Sequence, residues 1–102
     1  MMHRRPTPLP APMQGLWQEA GDASGVLVVD GFDVSYRGIA VAHDHFRLEE
    51  KAGALNVMFG VDDPAREDSF VRENLAGLVI DPEGQLHGWN TRFGATFERV
   101  EA

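Results

Sequence analysis

The chain contains no cysteine, and this excludes a disulfide framework, a thiolate zinc site and a cysteine nucleophile together. Basic residues are scarce: nine Lys and Arg stand against sixteen Asp and Glu, for a net charge of −7. Phosphate backbones are held by clustered Lys and Arg, so nucleic-acid binding is not expected. No apolar run approaches the roughly 18 residues that span a bilayer, so no membrane association is expected. Pro6, Pro8, Pro10 and Pro12 break up the apolar stretch behind Arg4 and Arg5 that a secretory signal would need. These absences together lead to the expectation of a cytoplasmic protein. Three catalytic signatures are missing as well: a phosphate-binding Gly-rich loop, a Gly-x-Ser-x-Gly elbow and a His-Glu-x-x-His helix.

What is present suffices for one domain. A chain of 102 residues supports a single hydrophobic core, with no room for separate cofactor and substrate domains. Its 43% of hydrophobic residues is close to the soluble average and rules out global disorder. Residues 1–15 hold four alternate prolines and are expected to form a flexible polyproline II leader, ahead of a single β-rich domain over 16–102. All sixteen acidic groups and only seven basic ones fall in that body. A basic protein partner would be attracted to it.

The body reads as short β-type runs punctuated by Gly and Asp. Val26-Leu27-Val28-Val29 is a compact apolar strand, and Asp30-Gly31 is a turn signal. In Asp33-Val34-Ser35-Tyr36-Arg37 the alternation marks a half-buried strand. From Ile39 to Glu50, period-two counting puts Ile39, Val41, His43, His45, Arg47 and Glu49 on one side. Neither side of that run is purely apolar, so a bulge or a change of buried face is expected near His43. Further strands are expected at 54–61, 78–81, 85–90 and 95–100. Between them, Asp63, Pro64 and Gly77 supply helix start and stop signals, and Val71 and Leu75 an apolar stripe, predicting a helix over about 64–76. The expected architecture is mainly β: an antiparallel meander of about seven strands forming a curved sheet or barrel, with one short helix.

Two sets of residues resemble known families. Pro82, Gly84, His87 and Asn90, with Gly38, His43, His45 and Glu49 before them, resemble the two motifs of the cupin barrels. That resemblance implies a metal site in which His43, His45, Glu49 and His87 bind Fe, Mn, Ni or Zn, donors whose chemistry suits such ions. Gly15-Leu16-Trp17 is similar to the Gly-x-Trp start of lipocalin-type barrels, which implies a tryptophan packed across the barrel bottom. The residues of the first set have a second reading. Asp81-Pro82-Glu83-Gly84 is what a type I turn with a following bulge requires, and it predicts a hairpin without any metal.

The function expected is therefore a non-enzymatic binding or protein-interaction module, taking a basic protein partner or a small apolar ligand and needing no cofactor. Tyr36, Phe46, Phe59, Trp89 and Phe93 are the candidate lining. The alternative is the cupin-like metal protein or metalloenzyme.

Overall fold

A computed structural model of the chain describes residues 7–63, 65–66, 75–90 and 94–100. Nine antiparallel strands form one sheet: β1 (Gly15–Glu19), β2 (Asp22–Asp30), β3 (Asp33–Tyr36), β4 (Ile39–Ala40), β5 (His45–Lys51), β6 (Ala54–Gly60), β7 (Gly77–Ile80), β8 (Leu86–Trp89) and β9 (Gly94–Arg99). Their order across the sheet is β4-β3-β2-β1-β9-β8-β7-β6-β5, curled into a half-barrel. Among the described residues consecutive strands pair throughout, apart from β4 and β5, and the pairing most distant in sequence joins β9 to β1 through Trp17 and Arg99, Gln18 and Glu98, and Glu19 and Phe97.

Side chains alternate between faces along a strand, and the registers carry that alternation across all nine. Trp17, Leu27, Val57, Leu78, Leu86 and Phe97 are almost wholly buried on the concave face and make up its core. His45, Glu49, Asn56, Val79, His87 and Thr96 fall on the convex face, where Glu49 pairs with Asn56, Asn56 with Val79, Val79 with His87 and His87 with Thr96.

Three expectations about the sheet need correction. It has nine strands rather than about seven, because Gly15–Glu19 pairs with both β2 and β9 and because the Ile39–Glu50 run is two strands. That run breaks at 41–44, where the chain leaves one edge of the sheet and joins the other: Val41 N–H bonds the Val34 carbonyl and Asp44 N–H bonds the Gly60 carbonyl. Of the helix expected over 64–76, Ala65 and Arg66 are helical among the described residues, and the Asp63 carboxylate accepts from Ala65 N–H at 3.0 Å. The helix does not reach 76, since Ala76 bonds through its backbone to Phe59 and Trp89 and so extends the sheet; residues 64 and 67–74 lie outside the described set.

Residues 1–6 of the proline-rich segment lie outside the described set, but from Leu9 onward the segment is docked rather than free, with Leu9 and Met13 buried in the core. A 3-10 turn at Ala11–Met13 lets the Gln14 amide reach back. Its Nε2 donates to the carbonyls of Leu9 and Gly31, and its Oε1 accepts from Gly31 N–H at 2.7 Å. Trp17 donates its indole N–H to the Met13 carbonyl, and the Arg99 guanidinium lies 4.2 Å over the Trp17 ring while donating to the Gln14 and Pro12 carbonyls. Prolines that preclude a strand here do not preclude burial, because side-chain donors reach the carbonyls of Leu9, Pro12, Met13 and Gln14.

Candidate functional site

The place where the chain crosses from β4 to β5 carries the least ordinary chemistry. His43 sits in that crossing. Its Nδ1 lies 2.7 Å from the Val41 carbonyl; a carbonyl only accepts, so Nδ1 bears the proton and, in the neutral ring, Nε2 presents a lone pair. Nε2 is buried and has no hydrogen-bond partner among the described residues. Leaving a buried polar atom unsatisfied costs about 1–3 kcal/mol, and the surroundings offer no relief. The imidazole stacks on Phe32 with centroids 4.3 Å apart and lies 4.6 Å from the Phe59 ring, and Phe46 adds a further ring at 6.1 Å from Phe32.

A cleft of about 460 Å³ opens beside this cluster, lined by Val28, Asp30, Phe32, Asp33, Val34, Ser35, Ala40, Val41, Ala42 and His43. Its floor is a convex-face row, since Val28 pairs with Ser35 and Ser35 with Ala40. Asp30 and Asp33, exposed and opposite one another at the β2–β3 turn, put two carboxylates on its rim. Such a volume falls in the range that holds small molecules, and an apolar wall with few polar groups is the usual make-up of a ligand site.

The other residues singled out from the sequence are dispersed. His45 stands on the exposed edge strand, its Nδ1 3.2 Å from the Asp62 carboxylate. Glu49 and His87 lie on one row but three strands apart, roughly 14 Å at the spacing of paired strands. His87 is tied locally, with Nδ1 3.2 Å from Thr96 Oγ1 and Nε2 3.3 Å from Asp81 Oδ2. Among the described residues, no three His, Asp or Glu side chains are gathered so as to hold a metal ion. Pro82 and Gly84 lie in the β7–β8 turn, where Gly84, at φ +89°, donates its N–H to the Asp81 carbonyl while Asp81 Oδ1 accepts from Glu83 and Gln85 N–H. Gln85 and Glu83 N–H and the His87 ring hold the Asp81 carboxyl below its ordinary value, the Gln85 bond contributing most.

Of the expected lining, Phe46 and Phe59 join the His43 cluster. Tyr36 belongs to the concave face, edge-on to Phe97 at 5.6 Å, with its hydroxyl donating to Glu19. Desolvation, with the Glu19 carboxylate beside it, raises the Tyr36 pKa. Trp89 lies on the convex face over Gly77, where a Cβ would meet its ring at 2.3 Å. It borders a second hollow of about 410 Å³ lined also by Glu49, Lys51, Asn56 and Val79; Asn56 Oδ1 is buried without a partner among the described residues. Phe93 lies outside the described residues.

Phe32 and the row of Val28, Ser35 and Ala40 were not anticipated. The signal for Phe32 was an aromatic inside Asp30-Gly31-Phe32-Asp33, a turn whose other members are turn formers. Among the described residues, no helix is long and apolar enough to cross a membrane. Comparison of the chain with protein-family models, with curated proteins and with solved structures gave no match.

Proposed function

We propose that this domain is a non-enzymatic binding module whose cleft at the β4–β5 crossing takes a small molecule with an apolar body and a hydrogen-bond donor. One observation carries the reading: the lone pair of His43 Nε2 is buried without a donor beside a lined cleft. A ligand that brings a donor to this nitrogen removes a penalty carried by the free domain, so the interaction gains more than a solvent-exposed hydrogen bond would. The rim carboxylates of Asp30 and Asp33 favour a cationic donor such as an ammonium group over a carboxylate. Val28, Val34 and Val41 supply the apolar contact.

The test is an NMR titration with benzylamine, phenol and benzoate, following backbone amides and the imidazole nitrogens. Benzylamine is expected to shift His43, Phe32 and Val28 in a saturable way, with phenol weaker and benzoate without effect; His43→Phe keeps the stacking and should abolish the response. If none of the three compounds moves these resonances at millimolar concentration, or if His43→Phe leaves the response intact, the reading fails.

A further inference from the structure

The second edge of the sheet is β5, and among the described residues no strand lies beside its outer backbone groups, because β5 ends the strand order and pairs along its whole length with β6. Seven consecutive residues with one free side form a template for another strand. Every residue of β5 except Phe46 is exposed, and Leu48 leaves 52% of its surface open.

The sequence of this edge is complementary to itself. An antiparallel strand pair places like faces opposite each other. If β5 meets a second β5 about a two-fold axis through Leu48, then Leu48 faces Leu48, Arg47 faces Glu49, Phe46 faces Glu50 and His45 faces Lys51. Both copies of Arg47–Glu49 join opposite charges, and the exposed Leu48 side chains cover one another. Shifting the axis by one residue is unfavourable in either direction. Centred on Arg47, the register sets Arg47 against Arg47; centred on Glu49, it sets Glu49 against Glu49 and Arg47 against Lys51. Registers centred between two residues oppose convex-face to concave-face side chains and mismatch the curl of the two sheets.

We infer that the β5 edge is a self-association surface, joining two copies of this chain edge to edge in the Leu48-centred register so that two half-barrels share one continuous sheet. The contact is isologous, with the same residues on both sides. It is small and solvent-rimmed, so the dimer belongs to the weak, concentration-dependent class. This inference is independent of the cleft at the crossing: it rests on strand pairing and charge pattern alone.

Sedimentation velocity over a concentration series tests it, with circular dichroism confirming that each variant is folded. The wild-type chain is expected to pass from monomer to dimer and no further. Arg47→Glu replaces both opposite-charge pairs with two carboxylate pairs against Glu49 and should weaken association roughly tenfold; Glu49→Arg should do the same. The double variant Arg47→Glu with Glu49→Arg restores both opposite-charge pairs and should recover most of the affinity. Leu48→Asp should abolish the dimer. A chain that is monomeric up to millimolar concentration, that grows into higher oligomers, or whose double variant stays as weak as the singles would overturn the assignment. The two singles and the double bear on register rather than on folding, since both side chains are exposed.

Discussion

At the residue scale, strain identifies the positions most open to improvement. Two turns use residues other than glycine at positive φ: Arg37 at 55° before Gly38, and Ala52 at 53° before Gly53. A two-residue hairpin with positive φ at both positions matches the twist of its flanking strands, and asparagine is the favoured first residue. An alanine held left-handed costs about 1–2 kcal/mol, and the Ala52 side chain is exposed with no packing role to offset this. Ala52→Asn is therefore expected to raise stability by about 1 kcal/mol, read as a shift in the chemical denaturation midpoint with an unchanged slope. Arg37 is a different case. Its guanidinium reaches Asp22 at 2.7 Å and Glu19 at 3.2 Å, and the Tyr36 hydroxyl and the Asp22 carboxylate hold its pKa up. The strained backbone at 37 is kept because the side chain it launches gathers four polar groups, Glu19 of β1, Asp22 and Ser24 of β2 and Tyr36 of β3.

At the element scale, the docked segment from Leu9 to Gln14 acts as a plug with no strand pairing of its own. Gln14 makes three hydrogen bonds, two with Gly31 of the β2–β3 turn and one to the Leu9 carbonyl of the segment itself. Each part-buried bond contributes about 0.5–1.5 kcal/mol, so Gln14→Ala should destabilise the domain by about 2 kcal/mol. Faster amide exchange at Leu9 and Gly31, measured by NMR, should accompany the loss, because both donate within this knot. Much of the remaining element structure was legible in the sequence, and the reasons differ by element. The β5–β6 hairpin was readable because Leu55, Val57 and Phe59 alternate with Asn56, Met58 and Gly60, and the β7–β8 turn because Asp81, Pro82 and Gly84 each have one local task. Strand β1 was hidden by the prolines before it: Leu16 points outward at 43% exposure and Trp17 inward at 1%, but five residues show too few repeats to establish a period. The candidate site was legible only in part. His43 stood out as a histidine, whereas its unpaired Nε2 follows from Phe32 and Phe59, residues far from it in sequence, which no local pattern announces. The ligand set implied by the cupin resemblance depended on His43 and His45 sharing a strand, and the crossing at 41–44 separates their environments.

At the scale of the whole molecule, two carboxylates, Asp22 and Asp81, are held below their ordinary values. The Asp22 carboxylate accepts from the Ser24 hydroxyl and N–H and from Arg37, and is pushed down from 3.8 to about 2. Asp81 is also held low, by the Gln85 N–H first and the His87 ring next. A carboxylate whose folded pKa lies below its unfolded one contributes stability that is complete above the unfolded value and is lost as pH falls through the folded value. For Asp22 that window runs from 3.8 down to about 2. Stability of the wild-type chain should therefore decline through this range, and Asp22→Asn combined with Asp81→Asn should flatten the decline while lowering stability at neutral pH. Urea unfolding at a series of pH values from the acid range to neutrality measures both effects; an equal slope in the double variant would show that other carboxylates govern acid unfolding.

The strand order has a kinetic meaning. Read from β5 through β9 and on from β1 to β4, the sheet is a plain meander in which each strand lies beside the next. Every strand pairing described is thus closed by a short connection except β6 with β7, which residues 61–76 separate, and β1 with β9, which brackets nearly all the rest. Loop-closure entropy, ordinarily spread over several distant contacts in an all-β domain, is here concentrated in the β1–β9 closure, with a smaller share in β6–β7. The half β1–β4 can zip locally, and β5–β9 can do so once residues 61–76 bring β7 to β6, while the longest search is the meeting of Trp17 with Arg99 and of Glu19 with Phe97.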